Sequence, residues 1–144
     1  MHRDLKPENI LLKRTDSHTD IRVVDYGLAV FLLLGQKLSN MAGSAYYIAP
    51  EVLGGSYSQE GDMWSLGVVL YIMLCGLPPF WQETEDGIFR AIRIGSFDLD
   101  GGPWRRISIG AKSLVTSLLR QNPARRLTPE QAIGTLSALF NKPK

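Results

Sequence analysis

Asp4, Lys6 and Asn9 lie close together in the stretch His2-Arg3-Asp4-Leu5-Lys6-Pro7-Glu8-Asn9. Side chains of these types could act together on a phosphate ester. A carboxylate can take a proton from an attacking hydroxyl, and an ammonium can offset charge on a phosphoryl group. An amide oxygen can ligate a hard cation such as Mg²⁺. Pro7 holds φ at about −65° and stiffens the turn between Lys6 and Asn9. Asp25-Tyr26-Gly27 supplies a second carboxylate of the kind Mg²⁺ binds alongside water and phosphate oxygens. Alone, that tripeptide also fits an ordinary turn at a strand end.

These groups need elements to bring them together. Ile10-Leu11-Leu12 and Ile21-Arg22-Val23-Val24 are short and rich in branched residues, and Thr15 to Asp20 between them is polar. The pattern predicts a β-hairpin whose two ends, Asn9 and Asp25, meet. Residues 28–48 form a long connection, of a length that is usually functional or disordered. Phe31-Leu32-Leu33-Leu34 is apolar for a loop, and the sequence does not explain it.

Four helical stretches follow. Ser58 to Gly76 reads as a helix with Ser58 as N-cap and Glu60 and Asp62 in its first turn. Beyond Trp64 it is apolar nearly all round, which predicts burial on every face. Thr84 to Gly95 reads as a second helix, with Ile88, Phe89 and Ile92 on one side. Ala111 to Arg120 is amphipathic. Thr128-Pro129-Glu130-Gln131 opens a last helix with a capping box, its apolar face predicted as Ile133, Leu136 and Phe140. The fold class expected is mainly α with one short β-hairpin, an α+β arrangement.

The chain has 144 residues and 44% hydrophobic content, which suits one globular domain or a large piece of one. Its net charge of +2 argues against nucleic acid as a partner. The lone cysteine, Cys75, has aliphatic neighbours and no histidine near it in sequence, which favours a reducing compartment over a catalytic thiol. No apolar run approaches the ~20 residues that span a bilayer. The expectation is a soluble protein, cytoplasmic or nuclear. His2 reads as a packed structural histidine and His18 as a solvated loop residue, since their spacing is not that of zinc ligands.

The stretch from His2 to Asn9 resembles the catalytic loop of eukaryotic protein kinases, H-R-D-L-x-x-x-N, without a mismatch. Asp25-Tyr26-Gly27 resembles the kinase D-F-G motif with Tyr for Phe, a hydroxyl that would need a partner if buried. Gly43-Ser44-Ala45-Tyr46-Tyr47-Ile48-Ala49-Pro50-Glu51 resembles the end of a kinase activation segment. Its spelling is nearest the calcium/calmodulin-dependent group and plant calcium-dependent kinases. Asp62-x-Trp64-Ser65-x-Gly67 resembles the kinase central helix, and Asn122-Pro123-x-x-Arg126-Leu127-Thr128 resembles the D-P-x-x-R-L-T segment. The H-P-W-[FM] usual near that end is replaced by Gly134 to Phe140.

The resemblance covers essentially the whole chain and implies the C-terminal lobe of a Ser/Thr protein kinase. Residues 1–144 would be a partial kinase domain, with activation segment 25–51 and helical subdomain 52–140. It implies phosphoryl transfer from MgATP to a Ser or Thr of a protein substrate. Asp4 would be the catalytic acceptor and Lys6 the charge stabiliser, with Asn9 and Asp25 holding Mg²⁺. Lys6, Glu8, Asn9 and Asp25 would border the nucleotide, although Glu8 could equally be solvated.

It further implies that Ser44 links the substrate platform to Asp4 and Lys6, and that Glu51 pairs with Arg126. Asp62 would hold the catalytic-loop backbone. From local pattern alone, Ser44, Asp62 and Arg126 also fit a turn hydroxyl, a dipole-pairing aspartate and a solvated arginine. The sequence holds no G-x-G-x-x-G, no strand lysine paired with a helix glutamate and no EF-hand loop. The N-terminal lobe is therefore expected to be missing, and the chain to be a fragment that is inactive alone. The alternative is a protein-binding module acting through the Thr84–Gly95 helix and an exposed apolar face. A calmodulin or calcium-sensor partner is implied by family only.

Overall fold

The segment Glu60–Cys75 forms a helix around which the rest of the chain packs. A computed structural model of the protein describes residues 1–17 and 19–140; His18 and its expected solvation lie outside the described residues. The regular elements are β1 (Ile10–Leu12), β2 (Ile21–Val23), α1 (Pro50–Leu53), α2 (Glu60–Cys75), α3 (Glu85–Ile94), α4 (Ile109–Leu118) and α5 (Pro129–Phe140). Short 3₁₀ turns lie at Pro7–Asn9, Ala45–Tyr47, Gly102–Arg106 and Pro123–Arg125. The fold is mainly helical with one antiparallel hairpin, as the sequence implied.

One side of α2 carries Trp64, Val68 and Tyr71 into a core shared with Ile48, Tyr57, Phe80, Ile92 and Trp104. Aromatic rings order this core. Trp64 stacks on Phe80 with centroids 5.5 Å apart, and Tyr71 tilts against Trp104 at 4.7 Å. Such pairs add about 0.5–1.5 kcal/mol beyond their burial. Another side of α2 meets α4 and α5, where Met63, Leu114, Leu118 and Ala132 form a second cluster. Gly67 makes this approach possible. A Cβ there would lie 2.8 Å from Leu118 Cβ and 2.9 Å from Leu119 Cδ2.

Several caps match the sequence reading. Thr84 Oγ1 accepts from Gly87 N, and Gly95 ends α3 at φ +71°. Thr128 and Gln131 exchange side chain-to-backbone bonds of 3.0 and 3.3 Å, a complete capping box for α5. The hairpin pairs Ile10 with Val23 and Leu12 with Ile21. Residues 28–48 are anchored at their middle, because Leu38 and Tyr57 exchange backbone bonds of 2.8 and 3.0 Å.

Four expectations are corrected. Ser58 does not cap α2; its hydroxyl donates to Gln36 O and the helix begins two residues later. The amphipathic stretch expected from Ala111 starts at Ile109, because Ser108 Oγ accepts from Ala111 N and acts as the cap. α2 is not buried on every face, since Met73 is 76% exposed and Leu66 37%. The predicted face of α5 points the wrong way: Ile133 is 65% and Phe140 83% exposed. Ala132 packs on α2 and α4 instead, and Leu139 closes on Gly110. The small Ala132 lets α5 sit close to its neighbours, and hydrophobicity alone could not indicate that side.

Close packing at Gly67 gives a direct test. Gly67→Val should lower unfolding stability by about 1–3 kcal/mol through overpacking against Leu118 and Leu119, read from the urea midpoint at unchanged slope.

Candidate active site

The loop carrying Asp4 is held from below by α2. Asp62 accepts from the backbone N–H of His2 at 2.6 Å and of Arg3 at 2.9 Å. Both donors would otherwise be left unpaired in a tight turn. Arg3 has φ +72°, a conformation costing a non-glycine residue about 1–3 kcal/mol. Its side chain helps hold it there: Nε donates to Leu28 O at 2.5 Å, and a terminal nitrogen lies 3.4 Å from both Asn40 Oδ1 and Tyr57 Oη. Tyr57 in turn donates to Asn40 O at 2.7 Å.

His2 is buried and structural, as its sequence context suggested. Its Nδ1 accepts from Asp4 N at 3.3 Å, so the proton sits on Nε2, which donates to Val24 O at 3.1 Å. The ring tilts against Tyr26 at 5.1 Å. Tyr26 is 63% exposed, so its hydroxyl needs no protein partner.

Asp4, Lys6 and Ser44 form a closed triangle. Lys6 Nζ lies 2.8 Å from Asp4 Oδ2 and donates to Ser44 Oγ at 2.9 Å. Ser44 donates to Asp4 Oδ1 twice, from its hydroxyl at 2.8 Å and its backbone N–H at 2.9 Å. Burial by itself would raise the Asp4 carboxyl. The hydrogen bonds from Lys6 and Ser44 together outweigh it and hold Asp4 below its usual 3.8. The Asp4 hydrogen bond raises Lys6 above 10.5, and the charges of Asp4, Glu8 and Asp25 add to this against a smaller desolvation penalty.

Asn9 is buried, and its Nδ2 donates to Asp4 O at 2.9 Å, which leaves Oδ1 available. Val24 N donates to Asn9 O at 2.9 Å, continuing the hairpin ladder by one step. Asp25 follows directly, so the ladder brings it beside Asn9. It has φ +60°, and its Oδ1 accepts from Gly27 N at 3.3 Å while Oδ2 stays open. An amide oxygen and a carboxylate oxygen, both uncommitted among the described residues, suit Mg²⁺, which takes only one or two protein oxygens and fills the rest with water and phosphate. Among the described residues no cluster of three His, Cys, Asp or Glu could cage a metal by itself. Glu8 is exposed near Lys6.

Glu51 and Arg126 stand apart from this cluster and fix the chain beyond it. Arg126 is fully buried and pairs through both terminal nitrogens with the Glu51 carboxylate at 2.5 and 2.9 Å. It also donates to Glu60 O and Arg120 O and lies 5.2 Å over the Trp64 ring. The structure thus selects the buried pair over the solvated arginine. Ser65 donates to Tyr47 O at 2.8 Å and ties the turn after Ser44 to α2. Arg3, Asn40, Tyr57 and Ser65 were not singled out from the sequence. Arg3 and Ser65 were inside recognised motifs, but nothing in the spacing brings residues 40 and 57 to Arg3.

Two outcomes follow. Arg126→Ala should cost about 3–5 kcal/mol by leaving the Glu51 carboxylate buried and unpaired, measured by chemical denaturation. The Asp4–Lys6 pair should contribute to stability with a defined pH window. A depressed carboxyl contributes fully above its unfolded value of 3.8 and loses that contribution as pH falls through the lower folded value. A raised ammonium contributes below 10.5 and loses its part as pH rises through the higher folded value. The stability difference between wild type and Asp4→Asn should therefore be flat near neutrality and shrink in acid, as urea titrations at stepped pH would show.

Comparison with known proteins follows the same lines. A model of the protein kinase domain matches residues 1–136. The chain is similar to calcium-dependent protein kinase 14 of Oryza sativa subsp. japonica, 53% identical over 128 residues (89% of this chain, 24% of the relative). It is similar to calcium-dependent protein kinase 6 of the same plant, 51% identical over 133 residues (92% and 24%). Calcium-dependent protein kinase 17 of Arabidopsis thaliana is 51% identical over 134 residues (93% and 25%). The chain spans about a quarter of the length of these curated relatives.

Proposed function

The chain belongs to the protein kinase family, and on that premise we propose that its residues serve phosphoryl transfer from MgATP to a Ser or Thr hydroxyl of a protein substrate. The observation that carries this reading is the triangle of Asp4, Lys6 and Ser44 beside the open oxygens of Asn9 and Asp25.

Asp4 Oδ1 accepts twice from Ser44, and Oδ2 faces Lys6 Nζ at 2.8 Å and Asn9 Nδ2 at 3.5 Å, so an incoming hydroxyl would take the place of one of these partners. A carboxylate held below its usual range is a weak base. It orients the hydroxyl and takes the proton late, which suits a loose transition state needing little help from the nucleophile. Lys6, bonded to Asp4 and Ser44, offsets charge on the transferred group. Asn9 Oδ1 and Asp25 Oδ2 would hold Mg²⁺, which supplies neutralisation of the phosphate oxygens when bound. Lysine two residues after Asp4 fits Ser/Thr rather than Tyr substrates, and exposed Glu8 would favour a basic residue in the peptide. The names of the relatives support calcium-dependent control, by a sensor region or partner, as part of this reading.

A second reading has its own support. Leu11, Leu12 and Ile21 on the hairpin are about half exposed, and Phe31 and Leu34 wholly so. An apolar surface of this kind marks association. Residues 1–144 alone would then bind protein and not turn over, the phosphates being covered by residues outside this stretch.

The deciding assay measures transfer of labelled γ-phosphate to a Ser/Thr peptide. It compares residues 1–144 alone with the same residues joined to the glycine-rich half of a relative. Turnover is expected only in the joined form, and Asp4→Asn should lower it by about 10²–10⁴-fold. Equal transfer by Asp4→Asn would sink the catalytic assignment.

A further inference from the structure

Beyond α3 the chain builds a second concave surface, far in sequence from Asp4. A cavity of about 370 Å³ is bordered by Gly95 at the end of α3 and by Phe97, Thr116, Leu119, Gln121 and the arginines Arg120 and Arg125. Phe97 is fixed in place, edge-on to both Tyr71 and Phe80 at 5.9 Å. Leu119 is buried. The apolar part of the lining is therefore pre-formed and belongs to the core.

The charged part is one-sided. Arg120 and Arg125 are exposed, and among the described residues neither is within salt-bridge distance of a carboxylate. Among the described residues no Asp or Glu borders the cavity. Asp98, next to Phe97, turns its carboxylate onto the N–H groups of Asp100 and Gly101. The backbone that carries the arginines is rigid: Arg126 Nε and a terminal nitrogen clamp Arg120 O at 3.2 and 3.0 Å, and Asn122 Oδ1 caps the turn containing Arg125. Gln121 Nε2 is committed to Ile92 O at 2.7 Å, and its Oε1 remains to accept from a peptide N–H.

We propose that this cavity docks an acidic peptide segment of a protein partner, seating one apolar side chain against Phe97 and Leu119 between carboxylates paired to Arg120 and Arg125. Charge complementarity selects that occupant. Two guanidinium groups on a fixed backbone, unpaired among the described residues, favour carboxylates through paired N–H donors, and an aromatic side chain lining the same cavity favours an apolar residue in the same segment. The site goes beyond the phosphoryl-transfer reading. Its test involves no turnover, so either can fail without the other.

The probe is a fluorescein-labelled Glu-Glu-Phe-Glu-Glu peptide titrated with residues 1–144 and followed by fluorescence polarisation. Saturable binding is expected, with the Gln-Gln-Phe-Gln-Gln counterpart at least tenfold weaker. Arg120→Glu/Arg125→Glu should weaken the acidic peptide by about tenfold or more, since each partly screened charge contributes modestly, while keeping the melting temperature. Arg120→Gln/Arg125→Gln, with less perturbation, should fall between. Arg93→Glu/Arg106→Glu removes the same charge outside the cavity and should change affinity less than twofold. Loss of equal size in that control, equal binding of the neutral peptide, or no saturation would overturn the proposal. So would tighter binding of an oligothymidylate of the same charge, which would indicate a generic basic surface.

Discussion

The Asp62 carboxylate is the constraint on which the site depends. It reaches from the first turn of α2 to the N–H groups of His2 and Arg3. Without those two bonds the positive-φ turn at Arg3 would rest on its side-chain contacts to Leu28, Asn40 and Tyr57 alone. A carboxylate at a helix N-terminus is already favoured by the dipole. Here it is also the acceptor that orders a loop sixty residues earlier in the chain. The core therefore sets the chemistry: Trp64, two residues on, is fully buried and aligns the helix that carries Asp62.

A second anchor works through charge. Arg126 satisfies Glu51, two backbone carbonyls and the face of Trp64 at once. A buried pair is poor evidence of net stability, since desolvation opposes the attraction. Its effect is on arrangement. It fixes the start of α1 against α2 and the α4–α5 connection, and so fixes where the chain after Ser44 must run. The same guanidinium holds Arg120 O and stiffens the edge of the distant basic cavity.

Much of this was legible because the local chemistry is strong. The caps at Thr84 and Thr128 follow from a hydroxyl meeting free N–H groups, and the hairpin from branched residues flanking a polar turn. Ser58 misled because its side chain is turned to donate to Gln36 O and its oxygen accepts no N–H of the first turn of α2. The face of α5 misled because Ile133 and Phe140 are the more hydrophobic residues, while the smaller Ala132 makes the contact. Periodicity reports which residues share a side, not which side a neighbour can approach.

The sequence by itself determined the reacting groups and their order, because Asp4, Lys6 and Asn9 fall within one stiff turn and Asp25 ends a hairpin strand next to them. Tertiary structure alone decided that Ser44 closes on Asp4, that Asn40 and Tyr57 meet Arg3, and that Arg126 is buried rather than solvated. Each of those contacts joins residues dozens of positions apart. Such contacts depend on how α2 is enclosed by its neighbours. That enclosure is a property of shape and volume, which spacing along a chain does not encode.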